Sequence, residues 1–81
     1  MDVQEFQSRL ESLEADAVDR LAEAETEDEI IKVKNAFLGR NGEVQELMGI
    51  LRELPDEDKP VAGRAANSCK EAIQEAYEDR L

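Results

Sequence analysis

Five carboxylates crowd the seven positions from Glu23 to Glu29, and such a cluster is where a divalent cation would first be sought. Calcium loops space their oxygen ligands around a central glycine that makes the sharp turn, and this stretch holds no glycine. Thr26-Glu27-Asp28-Glu29 has instead the form of a capping box. There the hydroxyl, and the carboxylate three residues on, satisfy orphan N–H groups, while the acids favour the positive end of the helix dipole. Other reactive groups are scarce: the chain has no histidine, no tryptophan and one cysteine, Cys69. Histidine acid–base chemistry, His/Cys zinc sites and an internal disulfide are thereby excluded. Cys69 stands among alanines, the setting of a small buried side chain rather than of a reactive thiol. The sequence offers no catalytic residue and no metal ligand set, and by itself it does not read as an enzyme.

The chemistry that remains is electrostatic. Ten Lys and Arg stand against 21 Asp and Glu, for a net charge of −11, which disfavours contact with phosphate. The charge is unevenly spread, however. Residues 1–29 carry −9 and residues 71–81 carry −3, whereas residues 30–70 carry +1 through Lys32, Lys34, Arg40, Arg52, Lys59, Arg64 and Lys70. The middle of the chain is a different electrostatic object from its ends.

Those side chains need elements to position them, and 81 residues allow one small domain. Only four glycines and two prolines interrupt a sequence rich in Ala, Glu and Leu, which favours helix throughout. Val3, Phe6, Leu10, Leu13, Ala17, Leu21 and Ala24 recur at helical spacing and predict a first long helix over about residues 3–24. A short helix over about 27–39 follows the Thr26 cap, and Gly39-Arg40-Asn41-Gly42 ends it. Gly39 suits a left-handed C-terminal position, and Asn41-Gly42 suits positive φ, so a tight helix–helix corner is expected there. A second short helix is predicted over about 43–54, stopped by Pro55, and a last helix over about 57–80 with acids in its first turn and Pro60 early. Ala62, Ala65, Ala66, Cys69, Ala72, Ile73 and Ala76 line one side of that helix. A stripe so rich in alanine lets a partner helix approach closely. The expected fold is therefore all-α: an antiparallel hairpin or coiled coil of the two terminal helices, with two short helices at the far end. The apolar stripe still runs at Leu81, which predicts continuation of the helix in a longer parent chain and allows self-association through the uncovered stripe. No apolar run is long enough to span a membrane, and Met1-Asp2 leads into an acidic segment unlike a signal or transit peptide. A cytoplasmic protein is expected.

The corner itself carries more information. Phe37-Leu38-Gly39-Arg40-Asn41-Gly42 resembles the aromatic-Leu-Gly-Lys-Lys-Gly corner of the bacterial-type phenylalanyl-tRNA synthetase α subunit. Leu51-Arg52-Glu53-Leu54-Pro55-Asp56-Glu57-Asp58-Lys59-Pro60-Val61-Ala62-Gly63 is similar to that family's Leu-Pro-Pro-Glu-Glu-Arg-Pro-x-Ala-Gly stretch, and Asn67 and Lys70 fall where it has Asn-Glu-x-Lys. Asn41 replaces the second base of the corner, and Ser68-Cys69 departs from the usual acidic-then-small pair. The blocks follow in register over essentially the whole chain.

The resemblance implies an N-terminal coiled-coil arm that contacts tRNA while a class II catalytic domain elsewhere in the subunit performs aminoacylation. ATP and magnesium belong to that absent domain, and no cofactor is implied for this chain. The implied partners are phenylalanine-accepting tRNA and the synthetase β subunit. Carried over by position, the tRNA-binding candidates are Arg40, Asn41, Lys59 and Lys70, with Arg52 and Arg64 near the matched blocks. Gly39, Gly42 and Gly63 are expected to set turns or close packing. Contact is expected at one end of the domain, where Gly39–Gly42 meets the Lys59-Pro60 helix start. The other reading of the same helices is a free-standing protein-interaction module without tRNA binding.

Overall fold

The computed structural model describes residues 2–81. Four helices follow one another, α1 (Val3–Glu23), α2 (Glu27–Leu38), α3 (Glu43–Leu51) and α4 (Lys59–Asp79), and no strand occurs among the described residues. Asp2 caps α1 by accepting the Glu5 N–H at 2.8 Å. Between α1 and α2 the capping box closes: Thr26 Oγ1 accepts from the Glu29 N–H at 3.2 Å, and the Glu29 carboxylate accepts from the Glu25 N–H at 2.9 Å. Orphan donors at the start of α2 are thus satisfied by side chains of the same turn.

The all-α class holds, but the terminal helices run parallel rather than antiparallel. Cys69 Sγ of α4 lies 3.7 Å from the Leu10 carbonyl oxygen, and Arg80 Nε donates to the Leu21 carbonyl at 3.0 Å. In both contacts the partners are 59 residues apart in sequence, a constant offset that only parallel helices maintain. The reason is length. The 12 residues of α2 and nine of α3 together match the 21 of α1, about 31 Å of rise in each case. The two short helices therefore form a complete return leg beside α1, not a tip, and α4 starts again from the α1 N-terminal end. The result is an up–down–up bundle of three legs, 42 × 18 × 15 Å, whose middle leg is broken at Gly39–Gly42.

Every leg contributes to one core: Phe6, Leu10, Ala17 and Leu21 from α1, Ile30 and Phe37 from α2, Val44 and Leu47 from α3, and Ala62, Ala66, Cys69 and Ile73 from α4. Burying each large member stabilises the fold by roughly 1.5–3 kcal/mol. The alanines and Cys69 are what let α4 come close enough for a side-chain sulfur to meet a backbone carbonyl of α1.

Two helix boundaries and the corner also differ from expectation. α3 ends at Leu51 rather than near Leu54; the Glu53 and Leu54 N–H groups close turns on Ile50 and Leu51, and Leu54 folds back into the core. α4 begins at Lys59, not 57. Asp56–Asp58 form a turn in which the Asp58 and Lys59 N–H groups both donate to the Pro55 carbonyl, so no acid lies in the helix's first turn. At the corner, no described residue has positive φ. Gly39 (φ −69°, ψ 173°) and Gly42 (φ −76°, ψ 170°) are extended. They are required by space instead: a Cβ on Gly39 would collide with the Asn35 carbonyl oxygen, and one on Gly42 would lie 2.7 Å from the Phe37 oxygen. Gly63 sets no turn. It lies inside α4, and nothing stands within 4 Å of the point a Cβ would occupy.

Candidate nucleic-acid interface

Three legs enclose three surface grooves, and α1 lines two of them. The α1–α4 groove presents Glu11 and Glu14. The groove between α1 and the middle leg presents Asp16, Glu43 and Glu46 along α3 and Glu23 and Glu29 along α2, only partly offset by Arg9, Arg20 and Lys32. The third groove, between the middle leg and α4, lacks α1 and its acids. Leu38, Val44, Gln45, Lys70, Glu71 and Gln74 line it. Above these, Lys34 Nζ sits 5.2 Å from the centre of the Tyr77 ring, a cation–π contact across the same groove.

The break in the middle leg opens beside this groove. Arg40 and Asn41 are exposed there and share a surface depression with Gln45 and Glu46. Gln45 lines both depressions, so it joins the corner to Lys70. Arg40 and Asn41 thus line a depression adjoining the one that Lys70 lines, and Lys34, which was not among the candidates taken from sequence, flanks the same groove. Its signal was present: Lys34 and Leu38 are four residues apart, on one face of α2 that leads to the corner.

The remaining candidates lie elsewhere. Lys59 is eleven residues before Lys70, about three turns, so both share a face of α4 at a separation of roughly 17 Å. The Lys59 ammonium is 3.0 Å from Asp56 Oδ1. Arg52 is exposed in the turn after α3, and Arg64 is exposed on α4, about 120° round from Lys70. The expected single tip made by Gly39–Gly42 and Lys59-Pro60 is therefore corrected. Because α2 and α3 form a return leg, the corner lies halfway along the bundle and Lys59 at one end.

No group of His, Cys, Asp or Glu positioned to hold a metal ion occurs among the described residues, and no buried side-chain polar atom is left without a partner there. Cys69 lies under Leu10, and burial, followed by the charge of Glu14, pushes its thiol up to about 11. It is protonated and inert at neutral pH. What the groove can do is bind. It offers two half-buried lysines, an exposed arginine beside it, and amide side chains able to hydrogen-bond phosphate or ribose. No helix of the described residues is long and apolar enough to cross a membrane.

Comparison with known proteins gives a consistent picture. The family described as "Aminoacyl tRNA synthetase class II, N-terminal domain" matches residues 25–81. The chain is 42% identical over 71 residues to the phenylalanine–tRNA ligase α subunit of Nitratidesulfovibrio vulgaris, covering 88% of this chain and 21% of that one. Against the corresponding subunit of Prochlorococcus marinus identity is 36% over 72 residues, covering 89% and 22%. The subunit of Thermosynechococcus vestitus is 31% identical over 80 residues, covering 99% of this chain and 24% of its own. The chain spans between a fifth and a quarter of the length of these relatives. No solved structure matches it.

Proposed function

The chain belongs to the family of class II aminoacyl-tRNA synthetase N-terminal domains, and from that premise we propose that it is the tRNA-contacting arm of a phenylalanine–tRNA ligase α subunit. The observation that carries the reading is the groove without α1, which Lys34 and Lys70 flank and beside which Arg40 is exposed, while the other two grooves are net acidic. In this reading phenylalanine-accepting tRNA docks along the middle leg and α4, with the corner at Arg40-Asn41 at the centre of the contact. Aminoacylation belongs to a catalytic domain outside this chain, in a cytoplasmic assembly with the β subunit.

The contact is one of charge and shape. Lysines and an arginine neutralise phosphates and release counterions, each phosphate contributing about 0.7–0.9 to the slope of log affinity against log salt. Two to four phosphates give a modest slope, and the contact discriminates little between sequences because backbone groups carry little base information. The acids of α1 repel phosphate and thereby orient the domain on its ligand.

The test uses the complete ligase that contains this arm. Arg40→Glu with Lys70→Glu weakens tRNA binding by roughly tenfold or more at low salt, and leaves tRNA-independent activation of the amino acid unchanged. Unaltered tRNA affinity at low salt rejects the proposal.

A further inference from the structure

The groove between the middle leg and α4 is neutral on its own lining, where Lys70 stands beside Glu71. Its positive balance rests on what flanks it, Arg40 at the corner and Lys34 on α2. Arg40 is exposed, whereas Lys34 is half-buried. At the spacings where helical side chains meet, three and four residues away, Lys34 has Ile30, Ile31, Phe37 and Leu38 and no carboxylate. No ion pair among the described residues engages it. The contact it makes is with Tyr77, whose ring centre lies 5.2 Å from Nζ. Lys70, Gln74 and Tyr77 follow one another at four- and three-residue spacing on α4, so the half-buried ring continues the row of side chains along the groove.

An ammonium over an aromatic face is held by the ring's quadrupole, and its N–H donors turned away from the ring stay free. A carboxylate in the same place would neutralise the charge; a ring holds it without cancelling it. A long lysine side chain loses rotamer freedom when a phosphate fixes it, and one already held loses less. We infer that Tyr77 is a positioning residue of the tRNA contact, holding the Lys34 ammonium at the groove for a phosphate. This rests on the reading of the groove as a tRNA contact. It adds that an aromatic side chain with no charge of its own sets affinity through the lysine above it.

The test is a double-mutant cycle in the complete ligase, with tRNA affinity measured at low salt. Tyr77→Leu keeps an apolar side chain packed against the core and removes the ring face. It weakens binding by about two- to fivefold, the range of a cation–π contact at a surface. Tyr77→Met repeats the measurement with a flexible apolar chain at the same place. Tyr77→Phe keeps the ring and binds within about 1.5-fold of wild type. Lys34→Gln weakens binding at least as much as Tyr77→Leu and lowers the salt slope by about 0.7–0.9, the share of one phosphate. In the Lys34→Gln background, Tyr77→Leu adds less than about 1.5-fold, because no ammonium is left to hold. A loss of the same size in both backgrounds means that the ring acts through packing or touches the RNA itself, and overturns the inference. Tighter binding by Tyr77→Leu overturns it too, since the ring then competes with phosphate for the lysine, as does failure of Tyr77→Phe to bind like wild type. The Arg40→Glu and Lys70→Glu pair separates this role from the reading beneath it. If that pair weakens binding and Tyr77→Leu does not, the positioning role alone falls; if the pair changes nothing, the groove falls with it.

Discussion

Gly42 and Gly63 are the same residue type under opposite constraints. A methyl group at Gly42 meets the Phe37 carbonyl at 2.7 and 2.8 Å, backbone that cannot yield without moving the end of α2. Gly42→Ala and Gly39→Ala should each lower stability by about 2 kcal/mol in urea titrations. Gly49 and Gly63 sit inside helices with open space where a Cβ would stand. Replacing either by alanine should raise stability by about 0.5–1 kcal/mol, since only the conformational cost of glycine is removed. Gly39, Gly42 and Gly63 were read from sequence as setting turns or close packing, but only the path of the chain shows that Gly39 and Gly42 face a carbonyl and Gly63 does not. Cys69 supplies a second test. Burial first, then Glu14, raises its thiol from 9.0 to about 11. The ionised thiol is thus disfavoured in the folded state, and the stability linked to it is full below pH 9 and lost as pH rises through about 11. Measured against Cys69→Ala, whose other titrating groups are the same, the wild-type chain should lose relative stability between pH 9 and 11. A constant difference across that window would contradict the burial of the thiol.

Helix ends divide into those set by local chemistry and those set by distant contacts. Thr26 and Glu29 lie within four residues of the N–H groups they satisfy, and a break at Gly39–Gly42 needs no tertiary knowledge, so both could be read from sequence. The end of α3 could not. Leu51 and Leu54 are three apart, which fits a continuing helix and equally fits a turn that folds Leu54 inward, and only packing decides between them. The acids at Asp56–Asp58 resemble a first helical turn for the same reason, until the Pro55 carbonyl takes two N–H groups. The end of α1 is the clearest case. Arg80 donates through Nε to the Leu21 carbonyl at 3.0 Å and through Nη2 to the Ala24 carbonyl. It caps orphan acceptors at the negative end of a helix dipole from 56 and 59 residues away. Arg80→Ala should cost about 1–2 kcal/mol, the range for hydrogen bonds to a charged donor. Arg80→Lys should recover only part of it, because an ammonium lacks the planar fork that spans two carbonyls. Full recovery by lysine would mean that charge alone supplies the cap.

At the scale of the whole molecule, the direction of the terminal helices decides which charges meet. The spacing of the apolar stripes says that α1 and α4 pack against one another, and spacing alone says nothing of direction. Direction follows from the return leg, whose 12 and nine residues equal the 21 of α1. Had the two short helices folded as a compact tip, α4 would descend beside α1 and Arg40 would join Lys59 at one end. Instead the corner sits halfway along, beside Lys70, and the basic side chains form a line rather than a cluster. The resemblance named Arg40, Asn41 and Lys70 as candidates, while their positions along the bundle and the nearness of Lys34 to the same groove came from topology. A distance measurement separates the arrangements. With Cys69→Ala as background, spin labels at Glu5 and Arg64 share the 59-residue offset seen at Cys69 and Arg80, so they stand side by side. Moving the second label to Glu78 shifts it about 14 residues along α4, about 21 Å further up the bundle. The parallel arrangement therefore makes the Glu5–Arg64 distance short and the Glu5–Glu78 distance long. An antiparallel hairpin reverses the order, because the chain ends would then lie together. Since the two outcomes differ in rank and not merely in size, label flexibility cannot exchange them, and a shorter Glu5–Glu78 distance would return Arg40 and Lys59 to a common tip.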